Sequence, residues 1–200
     1  YGMETAFFRF YKESENRKKV VSTSLLSIMG STALLVLIGI LFKEKLSAAL
    51  NIDLPFMNYV LGILALDALA IIPFAWLRAN EKPMRYAIVK ILNVSLNLGL
   101  TLFFLILLPK IAQETSTGFL HSLYKVDYEI PYILIANLIA SAITLLLMIR
   151  VYIRRPYEFD KELWKRMVRY AMPVMVAGVA FTINEVFDRY LLSELLPEDI

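Results

Sequence analysis

The stretch "LGILALDALAIIPFAWLRAN", residues 61 to 80, holds a single carboxylate, Asp67, in an otherwise apolar run. Asp67 lies twelve residues after Pro55 and eleven before Arg78. At a rise of about 1.5 Å per residue, that places it near the midplane of a bilayer and about 16 Å from Arg78 along the same helix. Arg78 is therefore too far away to neutralise it. A carboxyl at that depth must pair with another span, face water or hold a proton. It is either a packing group hydrogen-bonded to an asparagine such as Asn97 or Asn137, or a site that couples transport to H+ or Na+ or touches a polar substrate.

A second constellation sits in "FTINEVFDRYLL", residues 181 to 192, where Glu185, Asp188 and Arg189 fall within five residues. Glu185 and Arg189 are spaced i, i+4 and can offset each other. Counted from Arg169, Glu185 is about 24 Å along a helix, so the cluster belongs to the outer part of the membrane. It serves as a salt bridge near the outer interface or as an outer gate, with Arg189 best suited to meet an anion. Three uncharged or mixed stripes also share single helix faces: Ser24, Ser27 and Ser31; Lys90, Asn93, Asn97 and Thr101; and Asn137, Ser141 and Thr144. The first and last read as helix packing, since small polar side chains join spans. The Lys90 stripe, with two asparagines beyond a lysine, reads as a water-lined track.

These residues need elements that cross a membrane, and the composition provides them. Hydrophobic residues make up 58% of the 200, with a mean hydropathy of +0.61, against roughly 45–50% apolar in soluble domains. Charges gather between five apolar runs: Val20 to Phe42, Pro55 to Leu77, Tyr86 to Leu108, Pro131 to Ile153 and Val168 to Leu195. Each is long enough for one bilayer pass. The fold expected is an all-α polytopic transmembrane helix bundle, with "YGMETAFFRFY" as the end of a preceding span. Sixteen of the 21 Lys and Arg residues lie on one side of these spans. The other side holds Lys43, Lys45, Lys110 and Lys125, and Arg189 falls within the fifth span. The basic side is cytoplasmic by the positive-inside rule, which sends the first span outward and leaves His121 in an outer loop. Trp76 and Trp164 fall at the cytoplasmic boundary, where amphipathic rings are favoured. Pro73 and Pro173 predict kinks. In "RRPYEFDKELWKRMVRYAMP", Phe159, Leu163, Met167 and Tyr170 recur at helical spacing among cations, as in an amphipathic segment lying along the inner headgroups.

Several function classes are excluded. There is no cysteine and a single histidine, so disulfide frameworks, thiolate chemistry and multi-histidine metal sites are ruled out. No GxxxxGK[ST], GxSxG or HExxH occurs, and the signal for an enzyme is weak. The basic residues are not interleaved with stacking aromatics on a soluble scaffold, so no nucleic-acid partner is expected. The first residue is Tyr1 and "LLPEDI" closes the chain directly after an apolar helix, which reads as an internal stretch of a longer protein.

Taken together, "YGMETAFFRFY", "IIPFAWLRANEKPMRYAIVKILN" and "YAMPVMVAGVAFTINEVFDRYLLSELLP" resemble polysaccharide biosynthesis proteins of the lipid-linked oligosaccharide flippase branch. That branch belongs to the multidrug/oligosaccharidyl-lipid/polysaccharide exporter superfamily, and the wording is closest to Bacteroidetes versions. The resemblance implies part of a two-lobe transporter: residues 1–153 in the N-terminal lobe, 154–167 as a cytoplasmic amphipathic linker, and 168–200 as the first helix of the C-terminal lobe. It implies a multi-pass inner-membrane protein, not an enzyme and without a cofactor, that moves a polyisoprenoid-pyrophosphate-linked oligosaccharide by alternating access for surface or lipopolysaccharide biosynthesis. Its partners would be the lipid-linked oligosaccharide, the bilayer and the polysaccharide polymerase machinery. Arg9, Arg78 and Arg189, in "AFFRF", "WLRAN" and "FDR", match family-typical arginines that would meet the pyrophosphate. Lys90, Asn93 and Asn97, by their shared stripe, would line the cavity of such a transporter, and Glu185 and Asp188, by their place near the outer interface, would gate it; Asp67 matches no motif of the family, and its coupling or gating role rests on its position alone. A cation-coupled multidrug exporter of the same superfamily is the alternative transporter. A membrane-embedded glycosyltransferase or ligase of polysaccharide assembly is the alternative enzyme.

Overall fold

The computed structural model describes residues 2–50, 53–114, 128–153 and 157–195. His121 and the outer loop around it lie outside the described residues. The elements are α1 Gly2–Glu13, α2 Arg17–Leu41, α3 Lys43–Leu50, α4 Leu54–Ala79, α5 Pro83–Leu102, a π-helical turn Phe103–Leu107, α6 Leu108–Glu114, α7 Glu129–Ile153 and α8 Lys161–Leu195. No strand occurs among the described residues. Five helical stretches are long and apolar enough to cross a membrane: 17–41, 54–79, 83–111, 129–153 and 161–188. The chain is an all-α, multi-pass membrane protein.

By packing, the chain falls into two compact units, residues 27–155 and residues 1–26 with 156–200. One boundary cuts through α2, after residue 26, and the other comes after residue 155, within the expected 154–167 linker. In the 27–155 unit, α7 packs along both α4 and α5, more extensively than those two pack on each other. Its buried positions Tyr132, Ala136, Ala140, Thr144 and Met148 repeat every four residues, forming one ridge. Alanines on that ridge let the backbones approach, and Gly62 of α4 comes so near α7 that an added Cβ would stand 3.0 Å from Leu138 Cδ1.

Local chemistry sets the helix ends. Pro83 opens α5 at a position whose N–H has no helical acceptor. At the end of α4, the Lys82 N–H donates to Leu77 O at 3.1 Å and the Glu81 N–H to Arg78 O at 3.2 Å, closing a Schellman turn. The left-handed position of that turn is filled by Glu81, at φ 54°, where glycine would be unstrained. Before Pro109 the helix widens, and the Leu108 N–H reaches Phe103 O five residues back. A proline can neither donate to the carbonyl four residues before it nor approach it closely, and the π turn relieves that clash.

Pro73 lies fully buried inside α4, which continues through it. Its missing N–H would orphan the Leu69 carbonyl four residues earlier. The Tyr152 hydroxyl, from the last turn of α7, donates to that carbonyl at 2.6 Å. A neighbouring helix thus re-satisfies the group that the proline freed.

In the other unit α1 packs on α8, where an added Cβ on Gly2 would fall 2.4 Å from the Ala171 carbonyl oxygen. The segment before α8 is tied to α2 by hydroxyls: Ser22 Oγ accepts the Glu158 N–H at 2.7 Å and Thr23 Oγ1 the Asp160 N–H at 3.2 Å. Asp160 then caps α8, its carboxylate accepting the N–H groups of Glu162 at 3.0 Å and Leu163 at 2.9 Å. Residues 161–167 are the first turns of α8 and continue without a break into the apolar run. Leu163 and Met167 of its apolar face are buried inside the unit, and Phe159 alone of the two outer aromatics is more than half exposed, at 52%.

Candidate functional site

Asp67 stands at the midpoint of α4, and its side chain is exposed on the 27–155 unit. One carboxylate oxygen accepts a 2.7 Å hydrogen bond from Ser141 Oγ of α7. The partner is neither Asn97 nor Asn137, and the reason is topological. Asn97 belongs to α5, whereas α7 is the helix that packs most extensively on α4. Asn137 is one turn away from the residue of α7 that faces Asp67. Ser141 itself is 3% exposed, so the hydroxyl is rigidly placed while the carboxylate keeps an open side.

One turn further along α7, Thr144 makes a second polar crossing. Its hydroxyl donates to Ala140 O at 2.8 Å and accepts from Asn93 Nδ2 of α5 at 2.9 Å. Ser141 and Thr144 are about 4.5 Å apart in rise. A single turn of α7 therefore holds Asp67 on one flank and Asn93 on the other. The packing role expected of the α7 stripe is what the geometry gives. The α5 stripe, in contrast, is divided: Asn93 is used by Thr144, Thr101 Oγ1 donates to Asn97 Oδ1 at 3.4 Å, and Lys90 turns to an aromatic ring. Asn93, Asn97 and Thr101 are half-buried and Lys90 is exposed.

At the basic end of the same unit, three cations sit over three rings. Arg78 lies 5.3 Å from the Tyr86 ring, Lys82 5.3 Å from Trp76, and Lys90 5.4 Å from Phe74. Phe74 and Tyr86 meet edge to face at 5.5 Å. No family model, curated protein or solved structure matches the chain.

The remaining expected site residues belong to the other unit. Arg9 pairs with Glu13 at 3.2 Å and lies 4.6 Å from the Tyr170 ring. Glu185 and Asp188 are exposed on α8, and Asp188 accepts from Asn184 Nδ2 at 3.4 Å. Arg189 is in α8 but its side chain lies outside the described residues, as does its pairing with Glu185. The residues missed in the sequence are Ser22, Thr23, Asp160 and Tyr152. A signal existed for the first two, since "STS" places three hydroxyls in a row at the basic end of an apolar span.

Proposed function

We propose that the protein is part of an inner-membrane exporter that flips a polyisoprenoid-pyrophosphate-linked oligosaccharide from the cytoplasmic to the outer leaflet by alternating access. The observation that supports transport is the Asp67–Ser141 pair. A carboxylate at mid-span, held by a buried hydroxyl yet open on one side, is costly against lipid and is retained where it faces water, an ion or a substrate. Asn93 and Thr144 add an amide and a hydroxyl within the next turn. The substrate class rests on the resemblance of the three quoted stretches to the flippase branch.

The test is deletion of the full-length gene in its native host, with lipid-linked sugar repeats assayed by leaflet. The expected result is repeats stranded in the inner leaflet and loss of surface glycan. Unchanged glycan without accumulated intermediate, in a strain with no redundant transporter, would sink the proposal. A cation-coupled drug exporter would use the same Asp67, and drug efflux that stops in the deletion strain while glycan persists would favour it.

A further inference from the structure

The first three turns of α8 have two opposed faces. Leu163, Met167 and Ala171, spaced i, i+4, i+8, are buried, and beside them the Tyr170 ring meets Phe10 of α1 edge to face at 6.4 Å. Lys161, Lys165 and Arg169 repeat at the same spacing and are exposed. Their offset of two residues turns them about 200° around the helix, to the side away from the buried ridge. None of the three has a carboxylate within ion-pair distance among the described residues. The acids of this end stand towards its start: Glu158 and Glu162 are exposed there, and the Asp160 carboxylate is taken up by the N–H groups of Glu162 and Leu163. The next carboxylate along α8 is Glu185, so the charges of Lys165 and Arg169 are not offset along their own helix.

Depth decides what such a face can meet. The apolar run of α8 begins at Val168, which puts Arg169 at the edge of the hydrocarbon. Lys165 is about 6 Å further out along the axis, within a headgroup layer of roughly 5–7 Å. Next to Lys165, Trp164 meets the exposed Phe159 at 6.1 Å, an aromatic pair of the kind that marks a membrane interface. In the other direction Met172 and Val176, each seven residues after one of these cations, continue the same face into the apolar run and are exposed. The geometry points to a site for an anionic phospholipid on this face of α8, its phosphate between Lys165 and Arg169 and an acyl chain along Met172 and Val176. Residues four apart on a helix have Cβ atoms about 5–6 Å apart, so both long side chains can reach one phosphate. Lys161, one turn further out, adds attraction. An acidic protein segment would satisfy the cations but not the apolar continuation of their face.

The full-length protein, purified in detergent, is offered equal amounts of phosphatidylglycerol and phosphatidylcholine with matched acyl chains, and retained lipid is counted by native mass spectrometry. The expected result is selective retention of phosphatidylglycerol, reduced about fivefold by each of Lys165→Gln and Arg169→Gln. Both positions are exposed and glutamine is a good helix former, so these variants keep α8. Lys110→Gln, on the other side of the membrane, leaves retention unchanged. Equal retention of the two lipids by the wild type, or an undiminished preference in the double glutamine variant, overturns the site. Stronger retention of a polyisoprenyl pyrophosphate that the same two glutamines abolish also overturns it, and assigns this face to the transported lipid. If the double glutamine variant does not fold, the charge-keeping Lys165→Arg/Arg169→Lys variant decides: it retains the preference if charge on this face holds the lipid, and loss of the preference refutes the assignment.

Discussion

Removing one hydroxyl, by Tyr152→Phe, tests whether α7 stands in for the N–H that Pro73 lacks. The Tyr152 Oη–Leu69 O distance of 2.6 Å is that of a well-formed bond, and Leu69 is the residue whose helical donor would have been position 73. Leaving a carbonyl without a donor in an apolar setting costs about 1–3 kcal/mol. Side-chain bonds between spans average roughly 0.6 kcal/mol, with a maximum of about 1.7. Because the bond is only part-buried, a loss near 1 kcal/mol is expected. The diagnostic quantity is the coupling to Pro73→Ala, which restores an N–H at position 73 aimed at the same carbonyl. In that background Tyr152→Phe should lose most of its effect, giving a coupling energy of about 0.5–1 kcal/mol. Equilibrium unfolding of the four full-length variants in mixed micelles measures this, and packing lost with the proline ring cancels around the cycle. An equal cost for Tyr152→Phe in both backgrounds would refute the idea that the hydroxyl replaces the missing donor.

Other substitutions test the remaining structure. Asp67→Asn keeps the size of the side chain and its bond to Ser141, so the protein should remain in the membrane while lipid-linked oligosaccharide transport falls; full transport by this variant would remove Asp67 from the mechanism. Asp160→Ala removes the acceptor for two N–H groups at the start of α8, costing about 1 kcal/mol, seen as faster amide exchange over residues 162–165 than over mid-helix. Gly2→Ala forces a methyl against a backbone carbonyl at 2.4 Å, whereas Gly62→Ala meets only the end of Leu138 at 3.0 Å; the first should destabilise by about 1–3 kcal/mol and the second by less, compared by thermal unfolding. Glu81→Gly relieves a left-handed residue and should stabilise the turn by about 1 kcal/mol, raising the midpoint of unfolding.

The five spans were legible because the bilayer imposes one rule, about 20 predominantly apolar residues with few internal charges. Their ends were less so. Helix α2 begins at Arg17 rather than Val20 and α8 at Lys161 rather than Val168, since lysine, arginine and glutamate are good helix formers and prolong a helix past its apolar run. The amphipathic face around Leu163 and Met167 was readable as a pattern. Its partner was not, because periodicity says which side is apolar and not whether lipid or protein covers it.

The same limit explains the centre of the 27–155 unit. Position along the chain placed Asp67 at mid-span and showed that it needed a donor, but which donor depends on which helix lies beside α4. The polar stripes of the sequence favour the amides, Asn97 of α5 or Asn137. Packing instead gives the place to Ser141, because α7 is the helix pressed against both α4 and α5. A hydroxyl has a consequence that an amide would not. Serine donates one proton to one carboxylate oxygen and is then saturated as a donor, so the second oxygen is neither bridged nor covered by it. An asparagine offers two N–H donors and could have bridged both oxygens. Under the proposed transport function, a carboxylate fixed at one oxygen and open at the other is free to exchange partners on its open side.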